Sequence, residues 1–311
     1  MTDLTSTDGT PASPLAFGAM QFGGRASAKD SRAMFDACRT RGITHFDTAY
    51  LYTDGQSETL LGPMIAPERD SLIIATKVGY SGGAGADNMR AQFDISRQRL
   101  ELDQVDILYL HRFDPDTDLN ETMQTFAEFK HAGLIRYIGL SNFAAWQVMK
   151  AIAIAARFDV RIDILQPMYN LVKRQAEVEI LPMCSDQNLA IAPYSPLGGG
   201  ILTGKYNKGG TGRLNEDTYY RERYGAAWMP DTVSGLSEVA AEMEIDPASL
   251  AVAWAAAHPS RPTPIISARN ATQLAPSLAA LDLKLSEAQY ARISALSPTP
   301  APATDRNEQQ R

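Results

Sequence analysis

Four polar residues with complementary chemistry stand at or just after the ends of short apolar runs in this chain. Asp47, Lys77 and His111 each close such a run, and Tyr52 follows Asp47 in the next loop. Short apolar runs of this kind are typical of buried parallel strands. In a barrel the carboxyl ends of the strands meet at one mouth, where barrel enzymes do their chemistry. We therefore expect an acid, a phenol, an amine and an imidazole to gather at one site.

Together these side chains suit the transfer of a proton to a carbonyl oxygen. A tyrosine hydroxyl has a reference pKa of about 10 and is a weak acid at neutral pH. The cation of Lys77 favours the phenolate and makes Tyr52 a better proton donor. Asp47 can hold that lysine by an ion pair, and His111 can orient the carbonyl. The sequence shows no Gly-x-Ser-x-Gly and no histidine pair at metal-ligand spacing. We therefore predict no metal site and expect a hydride from a separate cofactor to reduce the carbonyl.

Each of the four residues also has a structural interpretation. Asp47 precedes Thr-Ala and could be a helix N-cap, and Tyr52 could be a surface aromatic in a turn. Lys77 could be a solvated strand end, and His111 could be a core histidine. The set of four supports a site more strongly than any one member does.

The rest of the chain alternates between strand-like and helix-like segments. Strand-like runs end near Ala19, Asp47, Lys77, Leu110, Leu140, Gln166 and Tyr194, and an eighth run covers Thr263 to Ser267. Segments with helical spacing lie between them, and a long Gly-rich insertion follows Tyr194. Such alternation predicts βαβ units and a parallel sheet. We predict a (β/α)8 TIM barrel with a long insertion after strand 7 and extra helices. An open doubly wound sheet is the alternative, but the first crossover has no Gly-x-Gly-x-x-Gly.

Composition and charge narrow the class of partner. The net charge of −7 gives no electrostatic reason to expect nucleic acid or an anionic membrane. We expect one barrel domain over 14–297, with disordered segments at 1–13 and 298–311 that are rich in Thr, Ser, Pro and polar residues. The start of the chain lacks the pattern of a secretory signal, and only two cysteines occur, so we expect a cytoplasmic protein.

The segments around the four residues resemble the aldo-keto reductase family. Residues 46–52 match the family's Asp-Thr-Ala-x-x-Tyr, and residues 75–77 and 110–112 match its lysine and histidine strands. The resemblance implies a catalytic tetrad of Asp47, Tyr52, Lys77 and His111. Segments at 54–59, 141–146 and 197–206 are most similar to the aflatoxin-aldehyde and succinic-semialdehyde reductases and related bacterial reductases.

This resemblance implies reduction of aldehydes, and also of ketones, by NADPH, with the proton coming from Tyr52. It implies that the cofactor contacts Met20, Asp47, Ser141, Asn142, Gln166, Tyr194, Ser195, Pro196, Leu197, Gly199, Lys205, Arg213, Ser267, Arg269, Gln273 and Ser277. Arg269 can bind a 2′-phosphate, whereas Pro276 stands where many members have an acidic contact to the adenine. We therefore predict NADPH rather than NADH.

Fewer sequence features support a prediction of the residues that contact the substrate. We predict contacts from Tyr52, His111, Phe113 and Arg223, with pocket walls from Met20, Tyr80, Phe113, Tyr220 and Trp228. By resemblance Arg223 receives an anionic group of the aldehyde, and the alternative is a solvated charged loop. The small-molecule carbonyl is the expected partner, and the branch implies a homodimer.

Three other functions have weaker support. The first is a dinucleotide-binding redox sensor or partner protein with slow turnover, like the potassium-channel β subunits, and the second is a barrel lyase or isomerase with no dinucleotide. The third is nucleotide triphosphate binding, since residues 199–205 read Gly-x-x-x-x-Gly-Lys. Tyr206 follows that lysine where a P-loop needs Ser or Thr, so we reject this third reading.

Overall fold

The computed structural model describes residues 2–306 and Glu308, with all of their side chains except those of Lys208 and Arg213. Parallel strands form one sheet, and neighbours in the sheet follow one another along the chain, with the last strand beside the first. The strands are β1 (Ala16–Gly18), β2 (His45–Asp47), β3 (Ile73–Val78), β4 (Val105–Leu110), β5 (Ile135–Ser141), β6 (Ile164–Gln166), β7 (Ala190–Ile191) and β8 (Ile265–Ile266).

The sheet closes on itself between β7 and β8. The backbone N–H of Thr263 donates to the carbonyl of Ile191 at 2.7 Å, and that of Ile265 donates to Pro193 at 2.8 Å. Tyr194, just past β7, forms a parallel bridge with Ile265. A closed ring of eight parallel strands with helices between them is a (β/α)8 barrel. The predicted fold is confirmed, and the doubly wound alternative is wrong because the strand order never reverses.

Helices surround the barrel and extend the insertion after β7. They are α1 (Ala28–Thr40), α2 (Gln56–Ile65), α3 (Ala86–Leu100), α4 (Leu119–His131), α5 (Ala145–Ala155), α6 (Ile180–Asp186), α7 (Arg213–Glu216), α8 (Thr218–Arg223), α9 (Met229–Glu242), α10 (Pro247–Ala256), α11 (Ala271–Ala279) and α12 (Glu287–Ser294). In α2 the sequence pattern is weak, because Gly62 and Pro63 are the two residue types least favourable to a helix. None of the helices in this described part is long and apolar enough to cross a lipid bilayer.

The first residues differ from the disorder that their composition predicted. Thr5 pairs with Pro11 in an antiparallel bridge, and Leu4 packs with apolar residues of the barrel interior such as Ile107. Arg136 donates to the carbonyl of Thr5 at 2.5 Å. These contacts cover the amino end of the barrel, a tertiary role that a polar composition does not report. Residues 298–306 form no helix or strand, and the disordered tail stays a prediction, since residues 307 and 309–311 lie outside the described residues.

The barrel interior buries one histidine without a partner. Neither ring nitrogen of His45 has a hydrogen-bond partner among the described residues, and its side chain is fully buried. Burial lowers the pKa of His45 to about 4, although the carboxylates of Asp47 and Asp106 oppose that shift. The imidazole is therefore neutral at pH 7, and charging it inside the barrel costs stability.

Replacing His45 with leucine should make the fold less sensitive to acid. A base whose pKa is depressed on folding stabilises the fold fully above its unfolded pKa of about 6.5, and this contribution is lost as the pH falls towards about 4. Between about pH 7.5 and about pH 5 the wild type should lose about 2 kcal/mol more unfolding free energy than His45→Leu. Urea denaturation at both pH values measures this difference. Equal losses in the two proteins would contradict it, and His131→Leu, which changes an exposed histidine, is the control.

Candidate active site

The ends of β2, β3 and β4 bring the predicted tetrad together at one mouth of the barrel. Lys77 is fully buried, and its ammonium donates to the Asp47 carboxylate and to the carbonyl of Thr48 at 2.7 Å. The Lys77 Nζ also lies 3.3 Å from the Tyr52 hydroxyl. Asp47 accepts a further bond from Gln166 at 2.8 Å. Asp47 is thus not a helix N-cap and Lys77 is not a solvated strand end, so both structural interpretations are wrong.

A partly buried ion pair supports the turn that presents the tyrosine. Tyr52 begins the short turn Tyr52–Gly55, and Arg99 of α3 donates to the Tyr50 carbonyl just before it at 2.9 Å. The guanidinium also pairs at 3.3 Å with Glu58, which is fully buried. Gly55 has a φ of +88°, and a Cβ there would lie 2.2 Å from the Arg99 guanidinium carbon. Only glycine therefore lets the turn close onto this pair.

The ionisation of the tetrad follows from burial and from its internal contacts. Burial alone would lower the pKa of Lys77, but Asp47 and Tyr52 more than offset it, so the pKa is raised and the amine stays charged. The sequence argument expected Lys77 to lower the pKa of Tyr52. Lys77 does act in that direction, yet burial is the larger effect and the pKa of Tyr52 is raised. Tyr52 is therefore a protonated phenol at neutral pH.

His111 completes the mouth as a neutral imidazole. Burial lowers the pKa of His111 to about 3, and the cations of Lys77 and Arg112 act in the same direction. Its ring stands edge-on to the Tyr52 ring, with 5.8 Å between the centroids. Asn142 donates to its backbone carbonyl at 2.9 Å and fixes the strand end. A neutral imidazole beside the phenol can donate a hydrogen bond to a carbonyl oxygen.

Asp47, Tyr52 and His111 line a cleft of about 790 Å³, a volume typical of a small-molecule site, and Lys77 is buried beside them and does not line it. Most of the residues predicted from the sequence line it. They are Met20, Asp47, Tyr52, Tyr80, His111, Ser141, Asn142, Gln166, Tyr194, Ser195, Pro196, Leu197, Gly199, Lys205, Tyr220, Arg223, Ser267, Arg269 and Gln273. Strand ends that lie far apart in the sequence therefore share one opening.

A few predicted residues lie elsewhere. Phe113 is absent from the cleft lining and packs edge-on against Trp146 on α5 at 5.9 Å, because the chain turns outward after β4. Trp228 also does not line the cleft, and Ser277 is buried within α11. The Arg213 side chain lies outside what the structure describes, so its position stays a prediction.

A shelf of polar groups extends from the tetrad along the cleft. The Ser141 hydroxyl donates to the Gln166 carbonyl at 3.0 Å, and the Tyr194 hydroxyl donates to the Asn142 side-chain oxygen at 2.7 Å. These bonds hold hydroxyl and amide groups beside the half-buried Tyr194 ring. An aromatic face next to fixed amide and hydroxyl groups suits a flat ring that bears a carboxamide.

Comparison of the sequence with known proteins identifies its family. The aldo/keto reductase family model matches residues 14–298. The chain belongs to the aldo/keto reductase family. It is therefore an NAD(P)H-dependent oxidoreductase, as the sequence predicted.

Three relatives show how far the likeness extends. The chain is 32% identical over 292 residues to a probable voltage-gated potassium channel subunit beta of Oryza sativa subsp. japonica, across 88% of this chain and 89% of the relative. It is 36% identical over 208 residues to aflatoxin B1 aldehyde reductase member 2 of Rattus norvegicus, across 65% of this chain and 57% of the relative. It is 29% identical over 318 residues to an uncharacterized oxidoreductase of Bacillus subtilis, across 95% of each.

Sequence reasoning did not find a pair of salt bridges at the cleft, which we call the Glu216 strap. Glu216 of α7 pairs with Arg25, in the loop after β1, at 3.1 Å and with Arg269, in the loop after β8, at 3.2 Å. The insertion is thereby tied to two loops at the cleft. No local pattern marks Glu216, because its partners lie far from it in the sequence, near the two ends of the chain.

Glycines let the insertion turn sharply above the shelf. Gly199 has a φ of +66°, and a Cβ there would lie 2.8 Å from the Tyr220 ring. The chain continues in short 3-10 turns at Gly198–Thr203 and Lys205–Lys208. No α-helix begins at Lys205, in agreement with the rejection of a P-loop.

The Asp47–Lys77 pair should dominate the stability of the mouth. Removing one partner leaves an uncompensated buried charge, so Asp47→Asn and Lys77→Met should each lose about 3 kcal/mol of unfolding free energy. The double variant buries neither charge, so its loss should fall short of the sum of the two single losses by at least about 1 kcal/mol. Urea denaturation of the four proteins measures this coupling. Losses that simply add would show that the two residues do not interact.

Proposed function

We propose that this reductase converts aldehydes to alcohols with NADPH and that Tyr52 supplies the proton. The observation that carries the proposal is the Tyr52 hydroxyl, 3.3 Å from a buried and charged Lys77 at the floor of the cleft. A bound nicotinamide would supply the hydride to the carbonyl carbon. Tyr52 would give its proton to the carbonyl oxygen as negative charge develops there.

The other tetrad residues support this transfer electrostatically. Burial makes Tyr52 a weak acid, and the Lys77 cation opposes that effect by stabilising the phenolate left after transfer. Asp47 holds the lysine in place, and Gln166 donates to the second oxygen of that carboxylate. His111, neutral above about pH 3, would orient the carbonyl by a hydrogen bond without competing as an acid.

An NADPH molecule would lie along this cleft. The shelf at Ser141, Asn142 and Tyr194 would hold the nicotinamide end. The Gly-rich turn with Lys205 would hold the pyrophosphate, because glycines allow a close approach of the backbone and an ammonium suits phosphate oxygens. Arg269 lines the far end and would bind a 2′-phosphate, which favours NADPH over NADH.

The class of substrate rests on the relatives and on the cleft. One similar protein is named an aflatoxin B1 aldehyde reductase, which favours an aldehyde over other carbonyl compounds. Arg223 lines the cleft, and its contact with an anionic group of the aldehyde stays a prediction. The expected homodimer and the cytoplasmic location stay predictions.

A redox-sensing partner protein is the second candidate function, because another similar protein is named a potassium channel subunit beta. Such a protein would use the same cleft to bind the dinucleotide. The two functions differ in rate, since a sensor would bind NADPH tightly and turn over slowly.

Tyr52→Phe should lower kcat for 4-nitrobenzaldehyde by at least about 100-fold, because a positioned general acid contributes that much. The loss of NADPH absorbance measures the rate. Tyr137→Phe, which changes a tyrosine at the opposite end of the barrel beside Thr5, should keep the wild-type rate. Undiminished activity in Tyr52→Phe would refute the assigned proton donor. Tight NADPH binding without turnover in the wild type would favour the sensor.

Arg269→Leu should weaken NADPH binding by about 10-fold or more and change NADH binding by no more than about twofold, because only NADPH has the 2′-phosphate. Fluorescence titration of both cofactors measures the two dissociation constants. Arg25→Leu is the matched control, since Arg25 also pairs with Glu216 but does not line the cleft. Equal effects of the two variants on both cofactors would point to the strap alone and contradict recognition of the 2′-phosphate.

A further inference from the structure

One arginine at the cleft has a role that the tetrad does not explain. Arg112 directly follows His111, is exposed and lines the cleft. Its guanidinium carbon lies 4.6 Å from the centroid of the Tyr80 ring. The Tyr80 ring in turn lies 5.1 Å from the His111 ring. A stacked guanidinium keeps its N–H donors at the edge of the plane, free to meet a ligand.

Among the described residues Arg112 forms no salt bridge, and Asp114 acts on its charge only from a distance. Asp114 is the acid closest to it in the sequence, but its carboxylate accepts from the N–H of Ala84 at 2.8 Å and the hydroxyl of Thr117 at 2.6 Å. The other oxygen of Asp114 accepts from the N–H of Asp116. The hydrogen bond from Thr117 is the main cause that lowers the pKa of Asp114, and the Arg112 cation is only the last of several causes. Asp114 is therefore held by its own loop and balances the Arg112 charge only in part, without a direct bond.

The acids that line the cleft are engaged by other partners. They are Asp47, which is held by Lys77, and Asp246, which caps α10 through the N–H of Ala248. The substrate side of the cleft is thus positive in a chain whose net charge is −7. Such a local reversal attracts anions to the mouth.

We propose that Arg112, held by Tyr80, is a specificity-determining residue that binds a carboxylate on the aldehyde. The inference rests on the proposed aldehyde reduction and names the class of aldehyde. The planar guanidinium pairs with both oxygens of a carboxylate, which gives direction as well as attraction. The group bound by Arg112 belongs to the same molecule whose carbonyl meets Tyr52 and His111.

The separations limit how far the carboxylate stands from the carbonyl. Spans of 5.1 Å and 4.6 Å place the guanidinium carbon no more than about 10 Å from the His111 ring centroid. An aromatic ring or a chain of a few carbons between the aldehyde and the carboxylate fits that reach. 4-Carboxybenzaldehyde meets this description, and benzaldehyde is its neutral counterpart.

Arg112 is distinct from the cation predicted from the sequence. Arg223 lies on α8, in the insertion after β7, with its guanidinium carbon 4.4 Å from the Tyr219 ring centroid. Arg112 follows β4 and is linked through Tyr80 to the tetrad. Two arginine–tyrosine stacks therefore line the cleft from different strands, and the one beside His111 is assigned to the carboxylate.

Steady-state kinetics on the two aldehydes test the assignment. Arg112→Leu should raise KM for 4-carboxybenzaldehyde by about 10-fold or more, leave its kcat nearly unchanged, and change KM for benzaldehyde by about twofold at most. Arg112→Lys keeps the positive charge but loses the planar guanidinium, so its KM for 4-carboxybenzaldehyde should lie between those of the wild type and Arg112→Leu. Arg157→Leu, which removes an exposed arginine remote from the cleft lining, controls for net charge.

Binding to the protein saturated with NADP⁺ separates this proposal from the proposed function, because no hydride is available there. Calorimetry should show a Kd for 4-carboxybenzaldehyde that rises about 10-fold or more in Arg112→Leu and not in Arg157→Leu. If the wild type binds in this Arg112-dependent way but reduces neither aldehyde, the proposed function fails and the carboxylate site stands. Equal losses for both aldehydes, or a loss confined to Arg223→Leu, would overturn the assignment of Arg112.

Discussion

The burial of one ammonium group governs the arrangement of this mouth. A lysine head group inside a barrel is costly unless neighbouring groups satisfy its charge and its donors. Lys77 meets that requirement with the Asp47 carboxylate, the Thr48 carbonyl and the Tyr52 hydroxyl. All three partners come from β2 and the loop after it, so the pairing of β2 with β3 must place them beside the lysine. The same contacts keep the lysine charged, which is the property that the proposed proton transfer uses.

Above that floor, the cleft depends on loops rather than on strands. The Glu216 strap ties the insertion after β7 to the loops after β1 and β8, whereas arginine–tyrosine stacks at Arg112 and Arg223 add positive charge to the cleft lining. A rigid barrel therefore holds the tetrad, and separate loops form the walls where the proposed dinucleotide and aldehyde would bind. This division is general for barrel enzymes, because loops vary without disturbing the strands.

Some residues support the site without lining the cleft, and the sequence did not reveal their role. The pair of Arg99 and Glu58 supports the turn with Tyr52, yet one stands on α3 and the other on α2, a helix that Gly62 and Pro63 conceal. Leu4 and its neighbours cover the base of the barrel, although their polar composition resembles a disordered segment. Each of these roles arises from a contact between segments far apart in the chain, which local patterns do not encode.

The sequence by itself determined the barrel and the residues of the tetrad. Continuous apolar runs, which are buried on both faces, fix the strands. Parallel strands in a closed ring must bring their carboxyl ends, and so Asp47, Lys77 and His111, to one mouth. Only the tertiary structure decided how these groups ionise and which way the loop residues face. Burial outweighs the Lys77 cation at Tyr52, and Phe113 turns towards α5 rather than the cleft. The pKa of a group and the direction of a loop side chain depend on everything packed around them, whereas a strand depends mainly on its own residues.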